Sequence, residues 1–129
     1  MISVVMDTSS LVSLEMVRIL KKCLKTIKIT IPTSVEGELK ELSKYTDREG
    51  KASKEILKLI KKVESLLSAD VNEGEAECLV CCLENRINLL VMDDVDAAYR
   101  LEGLAIANNI KMKISVANII IKCLICILI

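Results

Sequence analysis

Two short apolar runs, each closed by an aspartate, constrain this chain more than any other feature. Ile2 to Met6 carries one polar residue, Ser3, and stops at Asp7; Leu89-Leu90-Val91-Met92 is wholly apolar and stops at Asp93-Asp94. Apolar stretches of this length read as buried strands. Ile27 to Ile31 alternates with Lys28 and Thr30 and ends at Pro32, giving a further strand, and a short one is expected from Met112 to Ser115. In open sheets of parallel strands ligands collect beyond the carboxyl ends. Two aspartates placed one residue past two strands therefore mark a candidate site as well as a fold.

The segments between the strands are helical in pattern. Ser9 or Ser10 is placed to cap a first helix, with Leu11, Leu14, Val17, Ile19 and Leu20 on its apolar face. Ser34 opens a short helix carrying Glu36, Glu38, Leu39 and Leu42, and the polar stretch from Tyr45 to Gly50 reads as a loop. From Ala52 to Leu67 the residues Ile56, Leu59, Ile60, Val63 and Leu67 recur at amphipathic spacing. Asn72 caps a helix over Glu73 to Glu84, and another runs from about Val95 to Asn108. Strands alternating with helices predict an α/β fold around a central, mostly parallel sheet. With 129 residues, 4 Gly and 1 Pro, one domain over 1–129 is expected, ending in an apolar tail from 114 to 129.

Composition removes most hydrolytic chemistry. There is no His, so a Ser-His-Asp triad, a Cys-His dyad and histidine-ligated zinc are excluded. The net charge of zero argues against a nucleic-acid partner, unless the acids gather in one site where cations neutralise them. The amino terminus has no signal-peptide pattern, so the 6 cysteines read as thiols in a reducing cytoplasm. Cys78-x-x-Cys81 and Cys123-x-x-Cys126 have the spacing of a four-thiolate zinc site. Both pairs lie in apolar, helix-like stretches without a knuckle glycine, and core packing is the better reading. The tail is shorter than the roughly 20 residues of a membrane span, so no span is expected; burial against the sheet or in a homodimer suits it better.

Carboxylates with a divalent cation remain. Strand-end aspartates supply fixed oxygen ligands and helix-borne glutamates approach from the side. A cation so held acidifies a bound water and stabilises charge at phosphorus.

The run Val5-Met6-Asp7-Thr8-Ser9-Ser10-Leu11 resembles the opening motif of PIN domains. Ile31-Pro32-Thr33-Ser34-Val35-Glu36-Gly37-Glu38-Leu39 resembles their second motif, with its acid before Leu. Gly74-Glu75-Ala76-Glu77 resembles a Gly-Glu-Ala-Glu segment of one subgroup, and Leu90-Val91-Met92-Asp93-Asp94 its final strand and acids. The resemblance runs in family order over roughly residues 2–116. It implies a three-layer α/β/α domain and an Mg²⁺- or Mn²⁺-dependent endoribonuclease acting on single-stranded RNA. In VapC-like toxins such an enzyme is paired with an antitoxin protein. Asp7, Glu38, Glu75 and Asp93 would then be catalytic metal ligands, Ser9 a hydrogen-bonding support for Asp7, and Asp96 an outer acid. Glu77 is the alternative to Glu75, which is preferred because it lies 18 positions before Asp93.

Plainer roles stand beside these. Asp7 can simply cap the next helix, Glu38 be a solvated residue, and Glu75 a first-turn acid favoured by the helix dipole. Asp93-Asp94 can cap a helix, and Asp96 can pair with Arg100. Lys51, Lys54, Lys58, Lys61 and Lys62 fall near one helix face, which more commonly means a solvated face than a phosphate track. A non-catalytic interaction module that keeps the fold is the alternative function. A phosphorylation-receiver domain would need an acid pair after the first strand, and Asp7-Thr8 lacks it.

Overall fold

β1 (Ile2–Met6) lies between β2 (Ile27–Thr30) and β3 (Leu89–Met92), and β4 (Lys113–Val116) pairs with the far side of β3. All three pairings are parallel, giving the order β2-β1-β3-β4 in a computed structural model that describes residues 2–60 and 74–116. The helices are α1 (Thr8–Met16), α2 (Leu20–Cys23), α3 (Thr33–Leu42), α4 (Arg48–Ile60), α5 (Gly74–Glu84) and α6 (Val95–Ala107). α1, with α3 and α4 against it, forms one layer; α5 and α6 pack on each other and on β1, β3 and β4 to form the second. Right-handed crossovers from β1 leftward to β2 and from β3 rightward to β4 require this division. The three-layer α/β/α architecture is therefore present.

The reversal of direction between β1 and β3 opens a crevice at their carboxyl ends. Val5 is level with Leu90 and Met6 with Val91. One residue further on, the Asp7 N–H donates to the Val91 carbonyl at 3.3 Å. The register thus carries Asp7 and Asp93 out of the sheet side by side.

The core explains the missing alternation in β1 and β3. Val4, Val5 and Met6 are buried in succession, as are Leu90, Val91 and Met92, because helices cover both faces. Leu11, Leu14, Leu39 and Ile56 fill one layer, and Cys78, Cys81 and Cys82 of α5 are fully buried in the other. These thiols are free and behave as small apolar groups. Burial, with the neighbouring Cys81, pushes the Cys82 thiol up to about 12. Cys123 and Cys126, and residues 117–129 of the apolar tail, lie outside the described residues.

Three helix boundaries differ from the sequence pattern. The first helix does not run on to Leu20: Arg18 takes a left-handed φ of 60°, its N–H meets the Glu15 carbonyl, and the Ile19 N–H reaches back to Leu14. That is a Schellman ending with arginine where glycine is usual. Arg86-Ile87 closes α5 and Asn109-Ile110 closes α6 in the same way. In each case an isoleucine follows the left-handed residue. α1 is capped not by Ser9 or Ser10 but by Asp7, whose backbone is already extended. α4 begins at Arg48, inside the stretch read as loop, because Asp47 Oδ1 accepts the Gly50 N–H at 2.8 Å. Gly50 is required there, since a Cβ would overlap the Tyr45 carbonyl.

Candidate functional site

Asp7 does two things at once. Oδ1 accepts the Ser10 backbone N–H at 2.9 Å, the helix cap, and Oδ2 accepts the Asp93 N–H at 3.4 Å. The support assigned to Ser9 therefore comes from Ser10, whose hydroxyl donates in turn to the Val91 carbonyl at 3.2 Å and ties α1 to β3. Ser9 itself is exposed and lines the cleft. An N-cap carboxylate can meet the N–H two or three residues on, and here the bond of Asp7 is to the one three residues on.

At the end of β3 the two jobs are divided. Asp94 is the N-cap of α6, its Oδ1 accepting from Asp96 and Ala97 at 2.9 and 3.2 Å. Asp93, half-buried, is left free of capping. Burial raises its carboxyl above the usual aspartate range; the Asp7 charge raises it further, and the Ser13 hydroxyl partly offsets both. Asp96 is exposed on the first turn of α6, outside the cleft lining.

A cleft of about 200 Å³ opens beside Asp7, lined also by Thr8, Ser9, Val35, Glu38, Cys78 and Met92. Glu38 is exposed at this edge, on α3. The structure thus brings Asp7 and Glu38 to one cleft, with Asp93 adjoining Asp7. Glu75 stands in the first turn of α5, three positions before Cys78, and its side chain is outside the described residues. Glu77 is turned away into the core, where its Oε1 accepts the Ser34 N–H at 3.2 Å. Two lining residues, Thr8 and Cys78, were not assigned to this cleft from the sequence. Among the described residues Thr8 Oγ1 is buried without a hydrogen-bond partner. Cys78 is legible only through its position one turn beyond Glu75, and burial, then the Asp7 charge, pushes its thiol up.

Lys51, Lys54 and Lys58 are exposed on the side of α4 opposite buried Ala52 and Ile56, and Lys58 pairs with Glu55 at 3.0 Å. Lys61 and Lys62 fall outside the described residues. No described helix is long and apolar enough to cross a membrane.

The donors near the crevice are hard oxygens, which suit Mg²⁺ or Mn²⁺. Among the described residues no three acids or thiols are close enough to hold an ion by themselves. Two observations nonetheless fit a cation. Among the described residues Asp7 and Asp93 are adjacent like charges without a salt bridge to a basic side chain, and Thr8 offers an unused hydroxyl at the same place.

An open α/β sheet with acids at its switch point defines a broad class of ligand-binding folds. The family comparison narrows it: a model described as a PIN domain matches residues 3–116. The chain belongs to the PIN-domain family and has its nuclease-type fold. No curated protein matches the chain.

Proposed function

We propose that this chain is a metal-dependent endoribonuclease that cleaves single-stranded RNA, with Asp7, Glu38, Glu75 and Asp93 as its metal ligands. The observation that carries the reading is the placement of Asp7 and Asp93 side by side at the switch point. Burial, and then the Asp7 charge beside it, raises the Asp93 carboxyl, and a divalent cation would relieve the like-charge part. Bound Mg²⁺ or Mn²⁺ would supply an acidified water and a Lewis acid at the phosphodiester.

The chain's own residues prepare the place. The cap to Ser10 fixes the Asp7 carboxylate before any ligand arrives, so little side-chain freedom is lost on binding. Glu38 meets the same cleft from α3, and Thr8 adds a neutral oxygen. Glu75 completes the set from the first turn of α5, and its spacing of three from cleft-lining Cys78 supports that choice. Asp96 serves as an outer acid. The preference for RNA, the VapC-like toxin role with an antitoxin partner, a homodimer and a cytoplasmic setting follow the resemblance and composition read from the sequence.

The test is cleavage of a fluorescent single-stranded RNA with Mn²⁺ or with EDTA, comparing wild type with Asp7→Asn/Asp93→Asn. Cutting is expected only for wild type with Mn²⁺. A folded wild type that binds Mn²⁺ and cuts no RNA would transfer support to the non-catalytic interaction module.

A further inference from the structure

Glu77 is the only acid among the described residues that is nearly fully buried, at 6% exposure. A buried carboxyl is costly unless something compensates it. Its compensation is at the amino end of α3, where the Ser34 N–H donates to Oε1 across 43 positions of sequence.

That helix end needs an outside partner. The N-cap of α3 is Pro32, which has no side-chain oxygen and makes no capping bond. Its carbonyl takes the N–H groups of Val35 and Glu36, which leaves the Ser34 N–H to be met from elsewhere. α1, α4 and α6 are met locally, by Asp7, Asp47 and Asp94. α3 instead draws its capping oxygen from α5, and the positive end of the helix dipole favours an acid there.

We infer that Glu77 is a positioning residue: it clamps the amino end of α3 to α5 and so fixes where Glu38 meets the cleft, rather than ligating a metal itself. Ser34 and Glu38 are one helical turn apart on α3, so a shift of the clamped turn is passed directly to Glu38. On the other side of the clamp, Glu77 is the neighbour of cleft-lining Cys78. The inference also separates the two acids of the Gly-Glu-Ala-Glu segment, leaving Glu75 for the metal. Its link to activity rests on the nuclease proposed above.

The experiment compares Glu77→Gln, Glu77→Ala and Glu75→Gln by amide hydrogen exchange at Ser34 and by Mn²⁺-dependent RNA cleavage. Glutamine keeps the acceptor oxygen, so Glu77→Gln should leave Ser34 protected and cleavage within about threefold of wild type. Glu77→Ala should speed Ser34 exchange by roughly tenfold or more, the loss of one charge-assisted hydrogen bond, and lower cleavage. Glu75→Gln should abolish cleavage with Ser34 unchanged. Cleavage lost equally in Glu77→Gln and Glu77→Ala, or Ser34 exchange unmoved in Glu77→Ala, would overturn the inference. Should Glu77→Ala fail to fold, Glu77→Gln decides alone: retained cutting supports positioning and lost cutting overturns it. Ser34 exchange needs no catalysis, so an inactive wild type would sink the nuclease and still leave the clamp decided.

Discussion

The two strand-to-helix junctions of the crevice are built from the same words and used differently. After β1, Asp7 alone caps α1 and faces the cleft; after β3, Asp94 caps α6 and Asp93 is released toward Asp7. Capping demands a side chain locked onto its own backbone, whereas holding a cation demands a charge turned toward other acids. One residue can serve both only because a carboxylate has two oxygens. The β1 junction is therefore the rigid half of the pair, and the β3 junction the half whose charge responds to its surroundings.

The sharpest way to break this comparison is to remove both functions from Asp7. Asp7→Ala should lose RNA cleavage and about 1–2 kcal/mol of stability, while Asp7→Asn should lose cleavage with stability within about 0.5 kcal/mol. Urea melts beside the cleavage assay check this, and equal destabilisation by the two substitutions would show that Asp7 does not depend on its cap.

Asp94→Ala is the converse. It should cost about 1 kcal/mol in the same melts and leave cleavage standing, since Asp94 faces its own helix. Loss of cleavage in that variant would merge the roles that the geometry keeps apart.

Asp93→Asn should abolish cleavage and alter how stability depends on pH. Because the folded carboxyl is raised, the folded state holds its proton over a range where the unfolded chain has released it. This group's contribution to stability therefore falls as pH rises from the usual aspartate value through the raised one. Relative to wild type, Asp93→Asn should gain stability across that window and hold the gain at neutral pH. Saturating Mn²⁺ should reverse the order by stabilising wild type alone. Parallel pH melts, with and without metal, measure both signs.

The smallest effect concerns helix ends rather than charges. Arg18→Gly and Arg86→Gly should each stabilise by about 0.5–1 kcal/mol, because glycine adopts the left-handed turn without the strain an arginine carries. Neither should change cleavage, and a thermal melt of each resolves the shift.

These junctions also mark how far the sequence could be read. The apolar runs ending in Asp7 and Asp93 placed β1 and β3 correctly, since burial on both faces leaves no alternation to misread. The first helix ran too long in that reading because its stop signal is Arg18-Ile19, with no glycine to announce it. The onset of α4 was hidden in polar residues because Asp47 acts through a bond to Gly50 that only a turn can form. The resemblance names Ser9 as support for Asp7, whereas the bond to Asp7 comes from the Ser10 N–H, one of the two an N-cap carboxylate can reach.

What the sequence determined by itself is the alternation of buried strands with amphipathic helices, and hence an α/β fold with acids at the strand ends. Local pattern suffices there, because burial and periodicity are written residue by residue. Tertiary structure alone decided that Asp7, readable as a cap or as a ligand, also accepts the Asp93 N–H, that Asp94 leaves Asp93 unencumbered, and that Glu77 meets the Ser34 N–H across 43 positions. Those assignments depend on which donors and charges the packed layers bring within about 3 Å, and identical carboxyl groups carry no mark of that in the chain.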